Sequence, residues 1–338
     1  MKIAACFSSR ADYAPLYPVI SELEKRGAEV IQLNLEVGLM KDDTPLSCSL
    51  SLIKGMRYLA AALSYENPDV VLLLGDRYET LGAAQIATLF QIPIAHIHGG
   101  ETTEGSFDND FRHAITQLAT HHFVSTEEYA AAVARMRGSF DNVHVVGAPG
   151  LDNINDLPPR EFPGDYFLVT YHPTTKQTGS VAIFEALRSF PEYRVLWTGV
   201  NRDPGHKAIR EAAFRTADDI RCNYIGDMDS KRYLSAMKYA ACCVGNSSSF
   251  LIEAPALGVP SVNIGDRQKG RLHGPSVLDI DEDADSIVVA IKAALTMYNI
   301  SVILSCRKPF ESPYGGPGAS KMIADILTPD PTSQSVAA

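Results

Sequence analysis

The residues that could move protons in this chain are concentrated behind two apolar runs. Asp76 closes the run in "DVVLLLGDRYET", which puts a carboxylate at the carboxyl end of an expected strand. The next such run opens "AHIHGGETTEGSFDNDFRHAITQLATHHFVST", residues 95–126, which holds five histidines. His96 and His98 alternate with Ile97, so a strand would point both to one face. Gly99 and Gly100 permit a tight turn or a close backbone approach, and Glu101 follows. Asp108 precedes an amphipathic stretch in which Arg112 lies four residues further on. That pair reads as a helix-capping acid with its i,i+4 partner, or as an acid held over a cleft. Carboxylates and imidazoles gathered behind neighbouring strands suit general acid–base work and stabilisation of developing positive charge. His113, His121 and His122 read as helix surface and strand start. With no H-E-x-x-H or comparable spacing, neither a metal nor a cofactor is expected.

A second set of residues suits an anion. Arg10, in "SSRADYAPL", projects beside the start of a helix that begins near Asp12 and is capped by Ser8 or Ser9. It reads as an anion contact or as a surface partner of Asp12. His172 ends the strand of "VTYHPTT", and Asn201 follows the strand of "WTGVNRDPGH". In "VGNSSSFLIEAPALGVPSVNIGDRQKGR" a strand ends at Gly245, and Ser247, Ser248 and Ser249 cap a helix. Glu253 lies about a turn and a half into that helix. Free N–H groups and hydroxyls there can cradle a diphosphate, and the glutamate can accept from ribose hydroxyls. Neither G-x-x-x-x-G-K-[ST] nor G-x-G-x-x-G occurs, which disfavours an ATPase and a dinucleotide dehydrogenase.

Positioning these groups needs strands that all end on one edge, and the chain is patterned for that. Apolar β-branched runs alternate with amphipathic helical stretches through both halves, the signature of right-handed βαβ units and parallel sheets. A chain of 338 residues, 46% of them hydrophobic, can fill two cores. "LPPREFPG", residues 157–164, is the natural boundary between them. The expected plan is a doubly wound α/β domain at 1–160 and another at 161–317. A helix at 318–328 and a disordered tail at 329–338 complete it. In open α/β sheets ligands bind outside the carboxyl ends of the strands. The net charge of −10 argues against nucleic acid and anionic membranes as partners. The N-terminus shows no signal-peptide pattern, and no segment reaches membrane-spanning length. The six cysteines lack C-x-x-C spacing, as expected of free thiols in a cytoplasmic protein.

Taken in order, "SSRADYAPL", "GDRYET", "HIHGGETTEGSFDNDFRHAIT", "VGAPGLDNI", "VTYHP" and "GNSSSFLIEAPALGVPSVNIGDRQKGR" resemble the UDP-N-acetylglucosamine 2-epimerases. The similarity is greatest to the hydrolysing branch of sialic-acid and related nonulosonate pathways, and it spans residues 2–327. It implies the GT-B architecture, two Rossmann-like α/β domains with a nucleotide sugar between them. It also implies that Ser247, Ser248, Arg10, His172 and Arg267 hold the diphosphate, with Ser249 beside them. Glu253 would bind ribose, and Asn201 would lie near the nucleotide. Asp76 and Asp108 correspond to acids of the chemistry; Arg77 and Arg112, close to them in the chain, are expected on the substrate side. Several members carry a third acid where this chain has His98, which makes Glu101 a candidate for that group. The segment after Leu35 is shorter than in relatives and lacks their G-x-H-L-like loop.

The resemblance implies loss of nucleoside diphosphate from C1 with removal of the C2 proton, then addition of water to the resulting glycal. The substrate would be UDP-N-acetylglucosamine or a related UDP- or GDP-linked 2-acetamido sugar, and the enzyme a homodimer or homotetramer. The alternatives are a non-hydrolysing 2-epimerase, a GT-B glycosyltransferase and a nucleotide-sugar sensor without turnover.

Overall fold

A computed structural model describes residues 1–36, 44–105, 108–173, 182–199, 207, 209–211, 214, 221–226, 228–303 and 308–329. The chain divides into two compact units. The first comprises residues 1–101, 107–152 and 314–338, and the second 102–106 and 153–313.

The first unit is built on six parallel strands in the order β2-β1-β3-β4-β5-β6. They are β1 (Lys2–Phe7), β2 (Glu29–Asn34), β3 (Val70–Leu74), β4 (Ile94–Ile97), β5 (His121–Val124) and β6 (Val143–Val145). Between them run α1 (Arg10–Lys25), α2 (Pro45–Glu66), α3 (Tyr78–Leu89), α4 (Asp108–Leu118) and α5 (Glu127–Arg137). The period of two sends alternate strand residues to opposite layers. Ile3, Ala5, Leu72, Ala95 and Ile97 pack with Leu16, Ile20 and Leu23 of α1. Ala4, Cys6, Val71, Leu73 and Ile94 pack with Leu59 and Leu63 of α2 and Ala83, Ala84 and Ala87 of α3. Both faces of the sheet are therefore covered, as a parallel sheet requires. Helix α1 begins at Arg10, two residues earlier than expected, because Ser9 and Asp12 form a reciprocal capping box.

The second unit repeats the plan with the order β12-β11-β10-β7-β8-β9. Its strands are β7 (Tyr166–Thr170), β8 (Arg194–Thr198), β9 (Cys222–Gly226), β10 (Cys242–Gly245), β11 (Ser261–Ile264) and β12 (Val277–Ile280). Its helices include α6 (Ala182–Leu187), α7 (Ser230–Tyr239), α8 (Ser249–Ala256) and α9 (Ala284–Ile303). Trp197 is fully buried and stacks on Phe184 with ring centroids 4.6 Å apart. The 157–164 segment lies in this unit, where the Pro158 carbonyl accepts from Ser235 of α7 at 2.8 Å. Residues 102–106 also belong here, and the Glu104 amide donates to the Lys269 carbonyl at 2.9 Å.

The chain closes on α10 (Ala319–Leu327), which returns to the first unit. Ile323, Ala324 and Leu327 join the same core layer as α1. The helix has a glycine at its N-cap and no cap bond from that residue. Its free amides are met from a distance, since the two carboxylate oxygens of Asp152 accept from the amides of Gly318 and Ser320. Replacing a carboxylate that caps a helix costs about 0.5–2 kcal/mol. Asp152→Ala should lower the stability of the first unit by about that amount, read as the midpoint of urea unfolding.

Candidate functional site

Both sheets change direction at their first strand, the first between β1 and β3 and the second between β7 and β10. Residues leaving the carboxyl ends of those strands stand where an open sheet leaves a crevice. The residues singled out by the sequence fall into two groups at these edges, one in each unit.

In the first unit the centre is Arg112 of α4, 1% exposed. Its guanidinium meets the Asp76 carboxylate beyond β3. Another of its nitrogens, Nη1, lies 3.5 Å from Glu101 Oε2, beyond β4. Glu101 is wholly buried. Its Oε1 accepts from His98 Nδ1 at 2.6 Å and from the Ser125 hydroxyl, at the end of β5, at 3.0 Å. Three side chains, Arg112, His98 and Ser125, thus converge on two carboxylates. The Arg112 guanidinium, expected on the substrate side, lies against Asp76 and Glu101. Asp76 and His98 keep part of their side chains accessible, 23% and 12%, whereas Glu101 keeps none.

The turn carrying His98 explains why glycine follows. Strand β4 ends at Ile97 and His98 has φ +65°, so the expected alternation with His96 stops there. Gly100 has φ +78°, and a β-carbon there would approach the Tyr129 carbonyl to 2.6 Å. His96 is wholly buried, with Nε2 donating to the Gly75 carbonyl at 2.8 Å. Asp108 opens α4, half-buried, in its first turn. Arg77 precedes α3 and lies 3.3 Å from Glu79 and 4.0 Å from Asp12. Arg10 is the first residue of α1, and its side chain lies outside the described residues.

In the second unit His172 and Asn246 leave the paired strands β7 and β10 and clasp each other. The His172 amide donates to Asn246 Oδ1 at 2.7 Å, and Asn246 Nδ2 donates back to the His172 carbonyl at 2.9 Å. The Asn246 carbonyl accepts from Arg267 Nη1 at 3.2 Å and from Gln268 at 3.0 Å. This brings Arg267, His172 and the start of α8 together. Gly245 makes the approach possible, since its φ is +144° and a β-carbon would strike the Thr170 carbonyl. Of the three serines expected to cap α8, Ser248 stands at the N-cap but makes no side-chain cap bond. Ser247 and Ser249 instead bond each other, Oγ to Oγ at 2.8 Å. Asn201 lies outside the described residues, as do residues 37–43 of the shortened segment after Leu35.

Burial decides the charge in this group. Burial, with Arg267 adding to it, holds the His172 imidazole well below its ordinary range. It is neutral at pH 7 and offers a hydrogen bond, so Arg267 supplies the positive charge. Glu253 is half-buried as a residue, yet its Oε2 is out of solvent and has no hydrogen-bond partner among the described residues. Burial raises its carboxyl to about 7. An orphaned acceptor of this kind fits a ligand that brings donors. Sequence reasoning missed Ser125, Asn246 and Gln268; an asparagine directly after a strand at the switch point is the one signal that could have found Asn246.

Among the described residues no group of acids, histidines and cysteines could hold a metal ion. No described helix is long and apolar enough to cross a membrane.

Burial lowers four histidines of the first unit, His96, His121, His122 and His144, and so weakens the unit in acid; His96 and His122 are lowered furthest. Burial lowers His96 to about 3, and burial with Arg137 and neighbouring histidines lowers His122 to about 4. Both folded values lie below the unfolded value of about 6.5. Their contribution is therefore fully present above that pH and is lost as pH falls towards 4 and 3. Between pH 7 and pH 5 each should cost about 2 kcal/mol. His96→Asn should shrink the pH 7 to pH 5 difference in urea-unfolding stability by that amount.

Residues 21–328 match the family model for UDP-N-acetylglucosamine 2-epimerase. The chain is 34% identical over 275 residues to polysialic acid biosynthesis protein P7 of Escherichia coli, covering 77% of this chain and 70% of that protein. It is 30% identical over 337 residues to the hydrolysing UDP-N,N'-diacetylbacillosamine 2-epimerase of Legionella pneumophila, covering 87% and 89%. Among solved structures, UDP-GlcNAc 2-epimerase from Neisseria meningitidis bound to UDP-GlcNAc superposes with TM-score 0.80 at 19% identity. That match covers 98% of this chain and 100% of the other and shows a shared fold, two parallel-sheet units of GT-B type. With both the family model and these relatives spanning most of its length, the chain belongs to the UDP-N-acetylglucosamine 2-epimerase family.

Proposed function

We propose that the protein is a hydrolysing nucleotide-sugar 2-epimerase acting on UDP-N-acetylglucosamine or a related UDP- or GDP-linked 2-acetamido sugar. The products are the free 2-epimer and the nucleoside diphosphate. The observation that carries this reading is the pair of carboxylates, Asp76 and Glu101, gathered around one buried arginine with His98 on the second of them.

The C2 proton of such a sugar is weakly acidic, and its removal becomes feasible when the C1–O bond breaks in the same event. A base takes the C2 proton, the C–H electrons form the C1=C2 bond, and the diphosphate leaves with the C1–O electrons. Water then adds its oxygen to C1 while a proton is delivered to the opposite face of C2. That sequence needs a group to take a proton, a group to return one and an anion site for the leaving group.

In this reading His98 and Asp76 face the sugar, since both retain accessible surface. Glu101 engages His98 Nδ1 and leaves Nε2 for proton transfer, the usual division of labour in a carboxylate–imidazole pair. Asp108 is the further acid, at the head of α4. Arg267, His172, Ser247, Ser248 and the amides opening α8 take the diphosphate, with Glu253 accepting from ribose hydroxyls. Arg10, Arg77 and Asn201 remain assigned to the substrate by resemblance.

The same reading includes a homo-oligomer in the cytoplasm. Leu46, Leu50 and Ile53 stand exposed at helical spacing along α2, a surface suited to a second copy. The five described cysteines are all free, as in a reducing compartment. Sedimentation at micromolar concentration should give at least a dimer, and Ile53→Glu should shift it to monomer.

Asp108 is the sharpest test of the chemistry. Asparagine caps helices as well as aspartate does, so a purely structural Asp108 predicts a silent Asp108→Asn. A reacting carboxylate predicts a loss on the order of 10²-fold or more in kcat, with nucleotide binding kept. Release of free nucleoside diphosphate and free 2-epimer from UDP-N-acetylglucosamine, with no acceptor present, should be followed by NMR in D2O with deuterium entering at C2. A donor stable without an acceptor would point to a glycosyltransferase.

A further inference from the structure

Five hydroxyls of the second unit form one hydrogen-bonded line. Thr198, ending β8, meets Thr170, ending β7, Oγ1 to Oγ1 at 2.7 Å. Thr170 Oγ1 lies 3.3 Å from the hydroxyl of Tyr233 on α7. That hydroxyl lies 2.8 Å from Ser249 Oγ, which lies 2.8 Å from Ser247 Oγ. Thr170 and Thr198 are buried, 4% and 5% exposed, so the line runs from the sheet interior to the opening of α8.

Each hydroxyl has one proton to give, so four bonds among five hydroxyls leave one proton over, and the two one-way arrangements put that proton at an end of the line, where a partner can take it. In one, every hydroxyl donates towards α8, and Ser247 keeps its proton to donate outwards. In the other, Ser247 donates inwards and presents only lone pairs, while Thr198 gives its proton to the Val169 carbonyl, 3.4 Å away. An anion beside Ser247 selects the first direction, and the aligned hydroxyls polarise one another in its favour. Tyr233 is the link between sheet and helix. Burial pushes its phenol up, which keeps it protonated at neutral pH.

We propose that Tyr233 is a positioning residue for an anionic ligand, aligning the Ser247 hydroxyl as a donor to the diphosphate of a nucleoside diphosphate. This rests on the nucleotide-sugar reading above. No charge is added by the device. It fixes the orientation of a donor that would otherwise rotate freely.

The test is calorimetry of UDP and GDP with wild type and Tyr233→Phe, with uridine and guanosine followed by ligand-observed NMR. Loss of one neutral hydrogen-bond link should weaken whichever diphosphate binds wild type by about three- to tenfold. Affinity for the matching nucleoside should not change, which a general loosening of the fold would not spare. Thr170→Val, which breaks the line one link further in, should weaken the diphosphate by about twofold. The double variant should be no worse than Tyr233→Phe alone. If Tyr233→Phe fails to fold, Thr170→Val decides by the same comparison. Wild type that binds neither UDP nor GDP overturns the nucleotide-sugar reading and this proposal with it. Wild type that binds a diphosphate, with variants of equal affinity or with equal losses for diphosphate and nucleoside, overturns the hydroxyl line alone.

Discussion

A guanidinium with 1% exposure cannot stand in a protein interior without anions beside it, and Arg112 has two. Burying a charge costs several kcal/mol, offset only where the geometry of its partners is good. That requirement ties α4 to the ends of β3 and β4, because Asp76 and Glu101 must both reach the arginine. It also fixes what surrounds Glu101. The carboxylate has no solvent of its own, so His98 and Ser125 occupy its other oxygen. The positive φ of His98 and the glycines behind it let the chain turn tightly enough for a residue three positions on to reach back. The charged cluster is thus as much a folding constraint as a chemical one. Removing either acid would strand part of the arginine's charge, so loss of activity in such variants mixes chemistry with structure.

The second unit meets a related problem with an amide side chain. Where β7 and β10 part, backbone groups lose their sheet partners, and Asn246 replaces them with two bonds to the backbone of His172. Its own carbonyl then serves Arg267 and Gln268. Four residues from three chain segments are registered by one amide side chain and one carbonyl. The glycine before it is needed because any side chain there would collide with the Thr170 carbonyl.

Much of this was legible in the amino-acid pattern, and the reasons for the exceptions are physical. Apolar β-branched runs between helical stretches mark the strands of both sheets, but β12 lacks such a run. "VLDI" is four residues long, lies at the sheet edge and carries Asp279, which pairs with His273. Asp76, Glu101 and His98 were visible as titratable groups at strand ends. Their division into accessible and buried members was not, because burial of Glu101 depends on Ser125 and Arg112, 24 and 11 positions away. The opening of α8 reads as three capping serines, whereas Ser247 and Ser249 spend their hydroxyls on each other. Local preference could not foresee that, since the competing partner, Tyr233, arrives from another helix. The neutral state of His172 was equally hidden, for it follows from burial beside Arg267.

An acidic protein that handles an anionic ligand must do so locally. With a net charge of −10, its long-range field repels a diphosphate, but at physiological salt that field fades within about 8 Å. Within that distance the second unit offers Arg267, with Arg271 bonded to Gln268 beside it, a neutral histidine, a helix terminus and oriented hydroxyls. Such an assembly depends on direction more than on charge. Hydrogen-bond donors held in place stabilise negative charge as it develops on a leaving group, without binding the finished product as strongly as a cluster of lysines would. For a reaction that ends by releasing a nucleoside diphosphate, that economy of positive charge favours turnover. It also explains why the hydroxyls opening α8 are tethered instead of free. Where charge is scarce, the orientation of each dipole carries the difference between ground state and transition state.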